Sequence, residues 1–240
     1  MSLEYRLYQW SRTALDWLFP PSCVGCGVAG SRLCSACGQQ IQRIYPPYCQ
    51  RCGQKNVAEE KSICDRCQTE PPEMTAIRSW ALFGGPLRQA LHRIKYQRDI
   101  ALAEVFARFM IGFLESQDWH IDVVVPVPIG KKRKKQRGYN QAGLLAKPLA
   151  LGLGLSYRPN ALIRVRETVS QVGLTLKQRR QNVGGAFSSS PDLVENRIVL
   201  VVDDVVTSGS TLDACAKALW LAGAKNVYGL TLARAPLSSN

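Results

Sequence analysis

The sequence is poor in histidine and in long apolar runs. Only His92 and His120 occur among 240 residues, so no histidine stands out as a general base, and we expect both to be surface or structural residues. No window offers the about 18 uncharged apolar residues that a membrane-spanning helix requires, so we expect no membrane insertion. The hydrophobic content of 46% with 20% charged residues is typical of a folded globular protein and excludes a disordered chain.

Acidic side chains are also scarce, with 18 Asp and Glu against 31 Lys and Arg. Of the net charge of +13, +11 lies in residues 71–240, which hold 23 basic and 12 acidic residues. A basic excess of this size favours polyanionic partners, either phosphate-rich small molecules or nucleic acid. Charge alone does not choose between these two classes.

The N-terminal segment is apolar but is not typical of a secretion signal. In "LYQWSRTALDWLF" the charges of Arg12 and Asp16 interrupt the run, and "PPSC" follows in place of a small-residue cleavage site. We interpret residues 1–20 as an amphipathic helix that packs on the rest of the protein. Without a secretion signal, the expected location is the cytoplasm.

Cysteine, by contrast, is abundant, and eight of the nine cysteines form four C-x-x-C pairs within 45 residues. A two-residue spacer lets both thiolates of a pair bind one metal, and two pairs complete a tetrahedral zinc site. Disulfides are the alternative, but they are rare in a reducing compartment, and redox chemistry of repeated C-x-x-C pairs is a weaker one. We predict a double zinc ribbon over residues 21–70 that binds two structural Zn²⁺ ions through Cys23, Cys26, Cys34, Cys37, Cys49, Cys52, Cys64 and Cys67.

Two pairings of these C-x-x-C units are open. In the sequential scheme the first and second pairs share one metal and the third and fourth share the other, whereas an interleaved scheme joins the first with the third. The similar phrases "CVGCG…LCSAC" and "CQRCG…ICDRC" indicate a duplicated ribbon and favour the sequential scheme. Such a segment has little apolar surface, so metal binding would supply its folding free energy. The ninth cysteine, Cys215, is expected as a small buried thiol.

The sequence changes in character after Glu70, where the cysteine pairs end. "EPPEM" is typical of a linker, and residues 76–240 alternate between strand-like runs such as "DVVVPVP" and helical patterns such as "IALAEVFARFMIGFLES". This alternation predicts an α/β domain with a parallel sheet covered on both faces. Ligands are then expected at the carboxyl ends of the strands.

One such strand end carries two adjacent acids. "RIVLVVDD" places Asp203 and Asp204 after a buried run, and "VVTSGST" leads into a helix that we expect to start near Ser210. The amides of a glycine-containing turn at a helix N-terminus suit a phosphate, and the two carboxylates suit the vicinal hydroxyls of a ribose. A simple capping turn is the alternative, but it would explain only one acid and one hydroxyl.

The 13 residues "VLVVDDVVTSGST" resemble the phosphoribosyl pyrophosphate (PRPP) motif of the type I phosphoribosyltransferases. "FPPSCVGCG", "IKY", "VVPVP", "RGYNQA" and "SQVGLTLKQRRQNVGGAF" extend the likeness over essentially the whole chain, which resembles the ComF/GntX family. The resemblance implies a type I phosphoribosyltransferase fold preceded by a double zinc ribbon.

The resemblance also implies roles for particular residues. PRPP with Mg²⁺ would lie at the two acids and the turn that follows them, bound by Asp203, Asp204, Thr207, Ser208, Gly209, Ser210 and Thr211. A turn at Pro126 and Val127 would meet the pyrophosphate. A flexible basic loop over residues 131–137, with Lys131, Lys132, Arg133 and Arg137, would cover it.

The loop sequence "KKRKKQR" also suits the backbone of a nucleic acid, although a solvated loop is the ordinary interpretation. Tyr139 could stack on a base or pack on a helix, and Arg164, Arg166, Lys177, Arg179 and Arg180 could extend the basic surface. The family resemblance implies a role in natural competence and DNA uptake at the inner face of the membrane, with single-stranded DNA and a helicase-like partner.

Two functions are therefore open. The first is a PRPP-binding competence protein that contacts single-stranded DNA. The alternative is an active phosphoribosyltransferase that uses a nucleobase or a related acceptor. No acceptor-base pocket is recognisable in the sequence, so the acceptor is not predicted.

Overall fold

A computed structural model describes residues 20–55, 61–168 and 175–236 of the chain. The amphipathic helix predicted over residues 1–20 lies outside the described residues, apart from its last position. Within the described ranges, no helix combines the length and the apolar composition needed to cross a bilayer. His92 and His120 are exposed, as expected.

A five-stranded, all-parallel sheet forms the centre of the protein, in the order β1-β7-β6-β2-β3. Its strands are β1 (Ala76–Leu82), β2 (Val123–Pro126), β3 (Ser156–Tyr157), β6 (Ile198–Val206) and β7 (Asn226–Arg234). A separate antiparallel pair consists of β4 (Leu162–Arg164) and β5 (Phe187–Ser189). The predicted parallel sheet is thus confirmed, and β6 lies at its centre.

Helices cover both faces of this sheet. Those of the described residues are α1 (Ser35–Gln39), α2 (Asp65–Thr69), α3 (Gly85–Tyr96), α4 (Ala101–Glu115), α5 (Lys131–Arg137), α6 (Gln141–Leu153), α7 (Leu176–Val183), α8 (Pro191–Val194) and α9 (Ser210–Leu221). Helices α3, α4 and α6 bury residues such as Leu91, Phe106 and Leu149 against one face. Helix α9 buries Leu212 and Cys215 on the other, so Cys215 is a buried thiol as predicted.

Side chains of the central strands alternate between the two faces of the sheet and so contribute to the hydrophobic core on each face. Leu200 and Val202 of β6 point to the first face, while Val199 and Val201 point to the second. Because both faces of β6 are buried, its sequence is a continuous apolar run until the acids begin, which is the pattern of a strand in a doubly covered parallel sheet.

The zinc-ribbon region packs directly on the edge strand β1. The Ile44 N–H donates to the Trp80 carbonyl at 3.0 Å, the Leu82 N–H to the Gln42 carbonyl at 2.8 Å, and the Ile77 N–H to the Arg51 carbonyl at 2.7 Å. These bonds satisfy polar groups of β1 that an uncovered sheet edge would leave free. The ribbons and the sheet therefore share a hydrogen-bonded interface.

Residues 70–74 were predicted to be a linker. This interpretation is wrong for the last two residues of the segment, Glu73 and Met74. Met74 is fully buried in the core beside α9, and the Trp220 indole N–H donates to the Glu73 carbonyl at 2.9 Å. The Glu73 N–H donates to the Asp213 carboxylate at 3.0 Å. The two prolines gave the segment the composition of a linker, but tertiary contacts hold it on the sheet domain.

Candidate phosphate cleft and zinc sites

The eight ribbon cysteines form two clusters of four, as the sequential scheme predicts. Cys23, Cys26, Cys34 and Cys37 form one and Cys49, Cys52, Cys64 and Cys67 the other, with all four sulfurs of a cluster within 4.8 Å of one another. The Cys26 and Cys34 sulfurs are 3.7 Å apart, and those of Cys52 and Cys64 are 3.8 Å apart. Tetrahedral zinc with Zn–S bonds of about 2.3 Å requires sulfur separations of this size. The clusters fit structural zinc.

Backbone amides prepare one thiol in each cluster for metal binding. The Cys34 N–H donates to the Cys23 sulfur at 3.4 Å, and the Cys64 N–H donates to the Cys49 sulfur at 3.3 Å. Burial raises a thiol pKa, but these and neighbouring amide donors outweigh it and lower the pKa of Cys23 to about 6 and that of Cys49 to about 7. The thiolate, which is the form that binds zinc, is thereby favoured.

The two adjacent acids lie near the carboxyl end of β6. Asp204 is buried and Asp203 is half-buried, and the strand continues for two further residues to Val206. After the bends at residues 207–209, helix α9 begins at Ser210, where the sequence predicted it. Gly209 has φ of +88°, a left-handed conformation that glycine adopts without strain. The acids, the turn and the helix N-terminus therefore follow one another at the carboxyl end of β6.

The two carboxyl groups differ in charge state because their surroundings differ. Burial, and then the charge of Asp204, raise the pKa of Asp203 well above its ordinary value. Burial acts in the same direction on Asp204, but an ion pair with the Lys95 ammonium of α3 outweighs it and lowers the pKa of Asp204. Asp204 is thus the ionised member of the pair, and Asp203 takes up a proton more readily.

The hydroxyls of the turn divide into two sets. The Ser208 and Ser210 hydroxyls are buried and lie 2.9 Å apart, within hydrogen-bonding distance of each other. Thr207 and Thr211 instead line the cleft beside the acids, and the Thr207 hydroxyl accepts a hydrogen bond from the Arg179 guanidinium at 2.8 Å. The threonines therefore face the cleft, while the two serine hydroxyls bond each other within the turn.

A cleft of about 410 Å³ opens above these groups. Besides the two acids and the two threonines, its lining includes five basic side chains, namely Lys95, Arg133, Arg137, Arg164 and Arg179. The side chains of Lys177 and Arg180 lie outside what the structure describes. Because five cations and two carboxylates surround one cleft, its field favours an anion with several negative charges.

The segment predicted as a flexible basic loop is a short helix, α5, so that prediction of its conformation is wrong. Lysine, arginine and glutamine are good helix formers, and the Glu167 carboxylate accepts the Lys131 N–H at 2.5 Å at the N-terminus of α5. Gly138, with φ of +85°, ends it. Arg133 and Arg137 line the cleft; Lys131 and Lys132 are exposed and are not among its lining residues.

The predicted pyrophosphate turn also begins later than expected. Pro126 is the last residue of β2 and is buried, and the Val127 N–H still donates to the Val202 carbonyl at 2.9 Å. Val127, Pro128 and Ile129 line the cleft. Strand pairing with β6 thus carries Pro126 into the sheet and moves the turn toward Ile129.

Sequence reasoning assigned no role to several residues of the cleft. Lys95 occurred only within the "IKY" segment of the resemblance, and Gln141 lies at the start of α6. Helix α3 brings the Lys95 ammonium to Asp204, although the two residues are far apart in the chain. No local pattern signals such a contact, since it depends on how α3 packs on the sheet.

Next to the cleft lies an exposed surface that combines rings and charges. Tyr96 has 65% of its surface exposed, its ring lies 4.8 Å from that of His92, and the Arg137 guanidinium lies 5.3 Å from its centroid. Tyr139, which the sequence offered as a stacking ring or as a packing residue, donates its hydroxyl to the Ile94 carbonyl and is half-buried. The packing interpretation of Tyr139 therefore holds, and Tyr96 is the accessible ring.

Comparisons with known proteins match both parts of the chain. The family model of the double zinc ribbon domain matches residues 14–68, and that of the phosphoribosyl transferase domain matches residues 96–236. The chain is 33% identical over 215 residues to competence protein F of Haemophilus influenzae, covering 87% of this chain and 93% of that protein.

Two further relatives have similar coverage. The DNA utilization protein YhgH of Salmonella typhimurium is 32% identical over 208 residues, covering 84% of this chain and 90% of the relative. The competence protein ComFC of Bacillus subtilis is 26% identical over 215 residues, covering 85% and 84% of the two chains.

Proposed function

Since the chain belongs to the ComF family of double-zinc-ribbon phosphoribosyltransferase-like proteins, we propose that it binds PRPP with Mg²⁺ at the end of β6 and handles DNA in natural competence. Its relatives are named for competence and for the use of DNA. The competence-related, phosphoribosyltransferase-like character follows from that membership, and the ligands are the proposal.

One observation carries the PRPP proposal: two adjacent carboxylates, Thr207 of the turn, Thr211 in the first turn of α9 and five basic side chains line the same cleft. Asp203 and Asp204 would accept the ribose hydroxyls, and the turn would hold the 5′-phosphate at the positive end of the α9 dipole. The cations would face the pyrophosphate. Mg²⁺ would be bound mainly by pyrophosphate oxygens and water, as it usually is with phosphate ligands.

The site would also favour the departure of pyrophosphate from C1 of the ribose. As the C1–O bond breaks, positive charge develops on the sugar and negative charge on the leaving group. Arg133, Arg137 and Arg164 stand where they could stabilise that leaving anion. Transfer to an acceptor is therefore the alternative function, and release of pyrophosphate distinguishes it from binding alone.

The first experiment is a titration of the zinc-loaded protein with PRPP and Mg²⁺, with pyrophosphate release measured in the presence and absence of nucleobases. We expect saturable binding that Asp203→Asn combined with Asp204→Asn abolishes, because both ribose-binding carboxylates are lost. Asp192→Asn, an exposed acid of α8, serves as the control. Unchanged affinity in the double variant would overturn the site, and release that depends on one added base would establish a transferase.

The DNA part of the proposal depends on helix α5 and Tyr96. The four lysines of α5 are exposed, and the half-buried Arg137 at its end lies over the exposed Tyr96 ring, so phosphate-binding charges adjoin a ring on which a base can stack. Single strands expose their base faces, whereas a duplex does not. We therefore propose single-stranded DNA as the nucleic-acid partner of this surface.

A salt titration tests this surface. Changing Lys131, Lys132, Lys134 and Lys135 to Gln should lower the slope of log affinity against log salt by about 0.7 for each DNA phosphate that the variant no longer neutralises. Lys225→Gln is the control. Lys225 directly precedes β7, so it lies at the amino ends of the parallel strands, away from the cleft at their carboxyl ends. An identical slope in the fourfold variant would place the DNA-binding surface elsewhere.

A further inference from the structure

The second zinc ribbon contacts the proposed phosphate turn. Arg66 lies between the zinc ligands Cys64 and Cys67 in helix α2, and its guanidinium donates to the Ser208 carbonyl at 2.6 Å. Arg66 is half-buried in this position. An arginine of the ribbon thus reaches the backbone of the turn between β6 and α9.

The contact constrains the amide that follows Ser208. The Ser208–Gly209 peptide is trans, so its C=O and N–H point in opposite directions. Arg66 approaches the carbonyl from the ribbon side, and the Gly209 N–H consequently points away from the ribbon. A charge-assisted bond on the carbonyl both fixes this orientation and polarises the amide toward a stronger donor.

The guanidinium is itself held in place by the second zinc cluster. Arg66 belongs to helix α2, which follows the ligand Cys64 and contains the ligand Cys67, and the buried Arg234 of β7 donates to the Cys52 carbonyl of the same cluster. A small cavity of about 10 Å³ lies between Cys52, Arg66 and the turn at Ser208 and Gly209. The second zinc cluster and the turn are therefore close neighbours.

We propose that the second zinc ribbon is part of the 5′-phosphate site, with Arg66 as a positioning residue that orients the Gly209 amide. This inference rests on the proposed binding of PRPP. It assigns the second ribbon a role in ligand affinity besides any role in folding, and it assigns none to the first ribbon, whose matching residue is Ala36.

The test is Arg66→Ala in the full zinc-loaded chain, measured by calorimetry with two probes, PRPP with Mg²⁺ and pyrophosphate with Mg²⁺. Loss of a charged hydrogen bond should weaken PRPP binding about tenfold, and pyrophosphate binding should not change, because pyrophosphate has no 5′-phosphate. Arg66→Lys keeps a cationic donor and should restore most of the affinity. Arg51→Ala, at an exposed arginine of the same ribbon, is the matched control.

Each outcome decides the inference. An equal loss for both probes would mean that Arg66 supports the whole domain, and no loss for PRPP would mean that it does not position the turn; either would overturn the inference. If the Arg66→Ala variant loses zinc, the Arg66→Gln variant is measured in its place, because glutamine keeps a neutral donor. The same two outcomes would then overturn the inference. A wild-type chain that does not bind PRPP would instead overturn the proposed function, on which the inference depends.

Discussion

The two zinc ribbons have the same internal structure but different neighbours. In the first, the Gly27 N–H donates to the Cys23 carbonyl at 2.9 Å; in the second, the Gly53 N–H donates to the Cys49 carbonyl at 2.8 Å. Each ribbon has one isolated antiparallel bridge beside its first pair of ligands, Ser22 with Ala29 and Tyr48 with Lys55. These equivalences show that the two metal sites repeat the same local structure.

Their outer surfaces have diverged. The first ribbon adds Val24 to the core formed by α3 and α4, and a Cβ placed on Gly25 would come within 3.4 Å of Pro86 at the start of α3. The second ribbon contacts β1 at Gly53, accepts a hydrogen bond from Arg234 of β7 at Cys52, and reaches the turn between β6 and α9 through Arg66. Ligand positions are constrained by the metal, so functional differences between the copies have to arise at the residues between the ligands.

The largest expected effect comes from removing one ligand of either ribbon. Cys37→Ser and Cys67→Ser should each reduce the zinc content from two to about one per chain, since a four-thiolate site loses a ligand. Both variants should lose several kcal/mol of stability, because metal binding supplies the folding free energy of a small ribbon. Only Cys67→Ser should also weaken PRPP binding.

Metal analysis, thermal unfolding and PRPP calorimetry measure the three quantities on the same samples. Equal loss of PRPP affinity in both variants would contradict the division of roles between the ribbons.

A smaller difference in stability is expected between alanine variants of the two glycines that follow Cys26 and Cys52. Both have left-handed φ, +78° at Gly27 and +71° at Gly53, so alanine costs about 1 kcal/mol of backbone strain at either position. A Cβ at Gly53 would also lie 2.4 Å from the Ile77 carbonyl oxygen, whereas no atom of the described residues lies within 4 Å of one at Gly27.

Gly53→Ala should therefore reduce the free energy of unfolding by about 2 kcal/mol more than Gly27→Ala does, because β1 and the ribbon must separate. Chemical denaturation at matched zinc content measures this difference. Similar losses in the two variants would mean that the ribbon and β1 can move apart without cost.

The smallest effect concerns an ion pair that only the second ribbon has. Lys61 and Asp65 are 2.7 Å apart and exposed, while the first ribbon has Ser31 and Ser35 at the matching positions. Lys61→Ser should cost less than about 0.5 kcal/mol, because exposed pairs are screened by water. Chemical denaturation at low and high salt checks this value, and a loss above about 1 kcal/mol would show a role beyond a surface pair.

Local patterns predicted much of this protein. The C-x-x-C spacing identified eight ligands. The two similar cysteine-containing segments favoured the sequential pairing, which is the pairing that the structure has. The apolar run before Asp203 predicted a doubly buried strand, and the start of α9 at Ser210 agrees with the sequence. Residues 131–137 were misinterpreted because a dense run of like charge is typical of a solvated loop, yet its members are also good helix formers.

The sequence by itself thus determined the zinc ligands, the alternation of strands and helices, and the turn after β6, since each depends on residues close together in the chain. Tertiary structure alone decided that Lys95 pairs with Asp204, that Arg179 reaches Thr207, and that Arg66 reaches Ser208. These partners come from distant segments that the parallel sheet and the ribbon interface bring together. Contacts of that kind leave no periodicity or spacing in the sequence, because packing sets them.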